Sequence, residues 1–199
     1  GIMVSQYFGA KDREQLSKTI GTCITLTAIT SGAIMMIGPL VSRPLLVFLN
    51  TPPTIIDWCA AYLNIFFLGS AGFSFYNILS GVLRGLGDSF SALVFLLTST
   101  ALNVVLDILF VARFGMGVPG VALATVIAQG ISAVLCLLKL LRMKDSFDLN
   151  CSMLKLNKEH SISVIKLGLP SGLTQAIFSL AMIIVQSLTN SFGEMVIAC

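Results

Sequence analysis

Charge is what this sequence lacks most. Only 21 of its 199 residues are charged, 12 Lys or Arg and 9 Asp or Glu, which is 11% of the chain. An ordinary soluble domain carries about 25% charged residues. Hydrophobic residues make up 56% of the sequence, and the mean hydropathy is +0.94. This composition excludes a typical soluble protein and indicates an integral membrane protein.

Side-chain sets that perform catalysis or bind metals are also missing. The sequence has one histidine and five cysteines, and no two cysteines have the C-x-x-C spacing typical of metal and redox sites. No set of Ser, His and Asp and no paired carboxylates are recognisable, so hydrolytic and glycosidic chemistry have no candidate residues. We therefore expect no enzyme activity, no dedicated metal site and no cofactor.

The beginning of the sequence shows no targeting signal. The chain begins at Gly1, and no charged n-region precedes an apolar segment, so we expect no signal peptide. At the other end, "SFGEMVIAC" stops where a loop would turn into a further apolar helix. The sequence therefore reads as a piece of a longer protein.

Long apolar runs account for most of the chain. About 20 apolar residues in an α-helix cross a hydrocarbon core that is about 30 Å thick. Such runs predict five transmembrane spans, at residues 16–40, 55–83, 90–112, 118–138 and 164–188. None shows the alternation of polar and apolar residues that is typical of a barrel strand. The predicted fold class is therefore all-α, a polytopic helical membrane bundle.

Basic residues are distributed unevenly between the connections. Ten of the twelve Lys and Arg lie before the first span, between the second and third spans, or around the connection after the fourth. The opposite side has only Arg43 and Arg113. By the positive-inside rule, the basic side faces the cytoplasm. The net charge of +3 thus reflects membrane topology, and we expect no nucleic-acid partner.

One acidic residue lies well inside an apolar span. Asp107 in "LNVVLDILF" is five residues from the outer end of the third span, or about 8 Å at a rise of about 1.5 Å per residue. A charged side chain near the centre of a membrane helix costs about 2.5 to 3.5 kcal/mol on insertion scales. Asn103 precedes Asp107 by four residues and Thr100 by seven, so this spacing predicts one polar helix face.

Two interpretations of Asp107 remain open from the residues alone. No Lys or Arg lies in the middle of any span, so its partner is a proton, a metal cation, a cationic ligand or a group on a helix outside this sequence. Alternatively, Asp107 is protonated and only hydrogen-bonds a neighbouring helix. We favour a functional role, because ionisable residues inside membranes mostly serve function.

Polar residues recur on neighbouring spans. Thr125 and Gln129 in "VALATVIAQG" are four residues apart and share a helix face. By themselves, these two residues and Asn77 in "FYNILSG" are also consistent with hydrogen bonds between helices, which are ordinary in membrane bundles.

Four segments, in this order, carry a family resemblance. "SQYFGAKD", "GVLRGLGDS", "LNVVLDILF" and "GMGVPGVALATVIAQ" resemble the multidrug and toxic compound extrusion family of transporters. The resemblance implies a 12-helix transporter with two six-helix lobes around a central cavity. It assigns residues 1–141 to the end of family helix 2 and to family helices 3–6 of the N-terminal lobe. Residues 142–161 then form the cytoplasmic inter-lobe loop, and residues 162–199 begin the C-terminal lobe with family helix 7.

The resemblance also implies roles for individual residues. Asp107 belongs to the cation-coupling site of the first lobe, and Asn103 and Thr125 match its polar partners on family helices 5 and 6. Asn77 and Gln129 are additional polar candidates. Gln186 falls where the second lobe would have the counterpart of a first-lobe acidic residue. The resulting hypothesis places coupling in the first lobe.

The expected function is cation-coupled antiport. A proton or Na⁺ bound at Asp107 would remove its charge and shift the helices between inward-open and outward-open packings. We expect a multi-pass monomer in the cytoplasmic membrane that exports cationic or amphiphilic small molecules. Two alternatives remain: a lipid-linked oligosaccharide flippase of the same wider fold, which would be expected to carry basic residues in its spans, and a non-transporting membrane scaffold.

Overall fold

The computed structural model describes residues 1–48, 53–143 and 158–191. Within these ranges the chain is helical apart from short turns, and no β-strand occurs. The elements are α1 (Ile2–Gly9), α2 (Arg13–Phe48), α3 (Ile56–Leu68), α4 (Ser70–Gly85), α5 (Ser89–Asp107), a π-helical turn that continues α5 (Ile108–Arg113), α6 (Gly117–Arg142) and α7 (Lys158–Ser191). The all-α fold class predicted from the sequence is confirmed.

The membrane-crossing helices agree in number with the sequence prediction, but one is broken. Four helices are long and apolar enough to span a membrane: α2, α5 with its π turn, α6 and the part of α7 at residues 160–182. A fifth span results when α3 and α4 are counted together, although they meet at an angle of 46°. Gly69 stands at this break, between the two helices. Hydropathy did not reveal it because both sides are apolar.

Several helices extend beyond the predicted spans. The first span was placed at residues 16–40, whereas α2 continues to Phe48 through Pro39 and Pro44. Similarly, α6 ends at Arg142, and α7 begins at Lys158. The helices are thus longer than the apolar runs, because a helix can continue past its apolar part; in α6, the long basic side chains of Lys139 and Arg142 allow the last turn to lie at the membrane surface. Residues 144–157, most of the predicted inter-lobe loop, lie outside the described residues.

Contacts divide the chain into two units, Gly1–Asn157 and Lys158–Cys199. In the first unit, α6 packs against α3, α4 and α5. Helix α2 packs against α3 and α4, and the short α1 contacts α2 and α4. The described part of the second unit is the single helix α7. The first unit is therefore a helical bundle in which α6 occupies a central position.

The apolar core of the bundle is concentrated towards one end. Its most buried side chains include Leu16 and Ile20 of α2, Leu83 of α4 and Leu140 of α6. This is the end that the distribution of basic residues predicts to be cytoplasmic. Towards the other end, apolar side chains are widely exposed, for example Phe48, which is 82% exposed. Such surfaces suit a hydrocarbon environment, where exposure of apolar groups carries no hydration penalty.

Small residues allow α4 to approach α6 closely. A Cβ added at Gly72 would lie 3.1 Å from the Cα atom of Gly130. At Gly69 an added Cβ would lie 2.2 Å from Cγ2 of Val126. Close backbone approach at small residues is the usual way in which membrane helices gain packing contacts.

Asp88 connects the α4–α5 turn to α6. Its Oδ1 accepts a hydrogen bond from Ser91 N at 3.0 Å, so it caps the first turn of α5. Lys139 Nζ of α6 lies 3.2 Å from Asp88 Oδ2. The hydrogen bond from the Ser91 backbone is the main cause that lowers the pKa of Asp88 below its ordinary value, and the lysine adds to it. This end of the bundle is thereby fixed by polar contacts.

Candidate functional site

A hydrogen bond joins α5 and α6 next to Asp107. Asn103 Nδ2 donates to Thr125 Oγ1 at 3.2 Å, and Thr125 Oγ1 donates to the carbonyl oxygen of Val121 at 3.0 Å. A hydroxyl has only one proton to donate, so Thr125 must accept from the amide of Asn103. The other atom of the amide, Oδ1 of Asn103, can act only as an acceptor. The structure brings together two of the three residues that the family resemblance associates with coupling.

Asp107 lies four residues beyond Asn103 on α5, or about one helical turn further out. Its side chain is only partly exposed, and its Oδ1 atom is buried. No hydrogen-bond partner for this atom occurs among the described residues. A buried polar atom without a partner costs about 1 to 3 kcal/mol, and more for a charged group. A donor or ligand that reached this oxygen would therefore stabilise it.

The antiparallel course of α5 and α6 separates Gln129 from Asp107. Because Asn103 contacts Thr125, Gln129 lies about 6 Å deeper than this bond, and Asp107 lies about 6 Å further out. Oε1 of Gln129 is also buried, and within residues 1–48, 53–143 and 158–191 it has no hydrogen-bond partner. Gln129 and Asp107 are thus two separate polar positions along one helix interface.

The other two candidates lie apart from this group. Asn77 on α4 is exposed, and its Nδ2 donates to the carbonyl oxygen of Phe73, one turn earlier on its own helix, at 2.8 Å. Gln186 belongs to α7, and its side chain lies outside the described residues. The contacts of the first unit therefore join Asn103 to Thr125, and they do not connect Asn77 to either residue.

The small polar residues of α5 differ in burial. Thr100 is exposed, and its hydroxyl donates to the carbonyl oxygen of Leu96 at 3.0 Å. Ser99 is instead buried, with 2% of its surface exposed. Ser99, Asn103 and Asp107 are spaced four residues apart, a signal that would have found Ser99 in the sequence. Burial therefore distinguishes Ser99 from Thr100 on α5, which the residue spacing does not.

Ionisable groups on the elements packed against α5 lie mainly near helix ends. They are Tyr76 and Arg84 of α4, Arg113 of the π turn, and Cys136, Lys139 and Arg142 of α6. Lys139 contacts Asp88 at the opposite end of α5. Within the described part of the chain, no basic side chain forms an ion pair with Asp107.

Comparison with known proteins identifies the family. The sequence model of the MatE family matches residues 1–109, more than half of the chain, and this segment includes Asp107 and Asn103. The chain belongs to the MatE family. It is accordingly a multi-pass membrane protein of a transporter family. Thr125 and Gln129 lie beyond the matched segment.

Curated relatives of this MatE chain are bacterial drug resistance proteins. It is 33% identical over 197 residues to the probable multidrug resistance protein YpnP of Bacillus subtilis (strain 168), covering 98% of this chain and 44% of YpnP. It is 25% identical over 199 residues to the multidrug export protein MepA of Staphylococcus aureus (strain NCTC 8325 / PS 47), covering 100% of this chain and 44% of MepA. The chain thus spans less than half the length of these relatives.

Solved structures share the fold. An outward-facing multidrug resistance MATE transporter has a TM-score of 0.87 at 24% identity, covering 94% of this chain and 42% of that one. An inward-facing MATE transporter has a TM-score of 0.86 at 24% identity, covering 94% of this chain and 43% of that one. MATE transporters of this kind have 12 helices in two lobes. The bundle described above is therefore part of a two-lobed, 12-helix transporter fold.

Proposed function

We propose that this chain forms part of a cation-coupled antiporter that exports cationic or amphiphilic compounds across the cytoplasmic membrane. The observation that carries the proposal is the Asp107 carboxylate, which has a buried oxygen without a partner one turn from the Asn103–Thr125 hydrogen bond. The names of the relatives, a probable multidrug resistance protein and a multidrug export protein, support this class of activity. In this proposal the second lobe of the transporter lies largely beyond this sequence.

A proton and a sodium ion can each neutralise Asp107 with the groups at hand. A protonated carboxyl gains an O–H that can donate to an acceptor such as Oδ1 of Asn103. Na⁺ requires oxygen ligands, and the carboxylate, the Asn103 amide oxygen and the Thr125 hydroxyl supply this type of donor from neighbouring positions. In the proposed function, H⁺ or Na⁺ is the coupling ion, and no further cofactor takes part.

Coupling follows from competition for the charge of Asp107. The ionised carboxylate attracts a cationic substrate, and neutralisation by the coupling ion removes that attraction. An ion shifts the balance between inward-facing and outward-facing packings only to the extent that it binds one of them more tightly. Because the coupling ion and the substrate act through one charge, their binding is reciprocal, as exchange requires. The proposed working unit is a monomer of the complete transporter.

Gradient-driven dye efflux provides the test. The complete transporter containing this sequence is expressed in cells without their own multidrug pumps, and efflux of a cationic dye is followed under an imposed proton or sodium gradient. Asp107→Asn, which keeps the shape of the side chain and removes its charge, should abolish gradient-driven efflux. The matched control is Asp57→Asn. Asp57 is 76% exposed, lies in the first turn of α3 and pairs with Arg43.

The outcomes separate the parts of the proposal. The gradient that drives efflux in the wild type names the coupling ion. Unchanged efflux by Asp107→Asn, at an equal amount of protein in the membrane, would overturn the assignment of the coupling site. Absence of wild-type efflux under both gradients would overturn the proposed antiport of cationic compounds.

A further inference from the structure

A π-helical turn follows Asp107 directly. It comprises Ile108–Arg113, and the hydrogen bond from Phe114 N to Leu109 O, at 3.1 Å, spans five residues instead of the four of an α-helix. A π turn is equivalent to one residue inserted into an α-helix, and such insertions occur frequently at functional sites. This segment therefore widens the helix at the position of the candidate carboxylate.

The wider turn changes which side chains lie beyond Asp107. In an α-helix, the residues three and four positions later would lie over it on the outer side, here Phe110 and Val111. Because a π turn contains one more residue, the residues that lie over Asp107 are those four and five positions later, Val111 and Ala112. By this geometry we expect the methyl group of Ala112, and not the ring of Phe110, to lie next to the carboxylate.

Phe110 lies against α6 with its Cβ atom and backbone. A Cβ added at Gly120 would lie 3.1 Å from the Cβ of Phe110 and 2.9 Å from that of Met116. Phe110 also pairs with Phe114, with ring centroids 6.2 Å apart and an angle of 38° between the rings. Its carbonyl oxygen accepts a hydrogen bond from Met116 N at 3.0 Å. The π turn is therefore seated on the first turn of α6, and glycine at position 120 makes this contact possible.

We propose that the π turn keeps Phe110 away from the outer side of Asp107, and that Gly120 is the positioning residue that holds the turn in this form. This inference rests on the proposed role of Asp107 in ion coupling. With the π turn in place, Asp107 stays partly exposed although its Oδ1 is buried. With an α-helical turn in its place, the ring of Phe110 would cover the carboxylate and hinder entry of the coupling ion.

Deletion of Val111 tests the inference. Removing one residue converts the π turn into an α turn without altering the register of α5 or α6, and Val111 is 39% exposed, so few contacts are lost. In the complete transporter, the ion concentration for half-maximal efflux should rise by about tenfold, with a smaller change in the maximal rate. Adding Phe110→Ala to the deletion should restore the wild-type ion dependence, because it removes the covering ring. A purely structural role of the turn predicts no such rescue.

A second variant covers the case in which the deletion prevents folding. Gly120→Ala places a methyl group against Phe110 of the π turn, and it should also raise the ion concentration for half-maximal efflux. Gly130→Ala on the same helix is the matched control, because a Cβ there meets no atom within 4 Å. Wild-type ion dependence in Gly120→Ala and in a folded Val111 deletion would overturn the inference.

Parallel measurement of Asp107→Asn separates this inference from the proposed function. Loss of coupling in Asp107→Asn together with normal coupling in the π-turn variants overturns only the role of the turn. Normal coupling in Asp107→Asn overturns the proposed function itself, whatever the π-turn variants do.

Discussion

Replacement of Gly69 by alanine should destabilise the bundle, because the α3–α4 break packs directly on α6. A Cβ at this position would lie 2.2 Å from Cγ2, 2.3 Å from Cγ1 and 2.8 Å from Cβ of Val126. Ordinary carbon–carbon contacts are about 3.5 to 4.0 Å, so the α3–α4 break and α6 would have to separate by at least about 1.3 Å. The φ angle of Gly69 is −87°, so the backbone conformation does not exclude alanine, and the cost is steric.

The size of the destabilisation by Gly69→Ala depends on how far the side chain of Val126 can move. Insertion of a methyl group into a packed interface costs about 1 to 3 kcal/mol. Because valine is branched at Cβ, a rotation that removes one of its methyl groups from position 69 tends to bring the other nearer, so we expect the upper half of this range. Gly81→Ala on α4 is the control, since an added Cβ there meets no atom within 4 Å. The better helix propensity of alanine should make that change neutral or stabilising by up to about 1 kcal/mol.

Thermal unfolding of the purified transporter in detergent measures these effects. We expect Gly69→Ala to unfold at the lowest temperature and Gly81→Ala at or above the wild-type temperature. The second-site change Val126→Ala removes both clashing methyl groups, so the double variant should be more stable than the sum of the single effects by at least about 0.5 kcal/mol. Equal unfolding temperatures for Gly69→Ala and Gly81→Ala would refute the steric reasoning.

Two further predictions concern the ends of the bundle. Asp88→Ala should cost about 1 kcal/mol by loss of the α5 cap, whereas Asp88→Ser should retain most of it. Because the pKa of Asp88 is lowered in the folded state, its contribution is complete above the unfolded-state pKa of about 4 and is lost as the pH falls through the folded-state value. The stability difference between wild type and Asp88→Ala should therefore shrink in acid, and a constant difference would contradict this account. Arg43 and Asp57 are 70% and 76% exposed, so a double-mutant cycle in unfolding experiments should give a coupling below about 1 kcal/mol that salt reduces. A larger coupling that salt does not reduce would show that the pair is shielded from water.

The candidate site was only partly predictable from the sequence. Asp107 and Asn103 stood out because polar residues are rare in apolar spans, and the four-residue spacing fixed their common face. Spacing alone did not single out the buried Ser99, since it does not show which side of a helix its neighbour covers. The exposed position of Asn77 likewise depends on the packing of α4 and is not visible in its local sequence.

The sequence by itself determined the membrane environment, the helical class and the approximate number of spans. These properties depend on sums over many side chains, because the transfer of a helix into lipid is governed by its total hydrophobicity and by satisfied backbone hydrogen bonds. Only the tertiary structure decided the hydrogen bond between Asn103 and Thr125, the break at Gly69 and the π turn after Asp107. Each of these depends on the register of one helix against another, which is set by close packing between residues distant in the sequence.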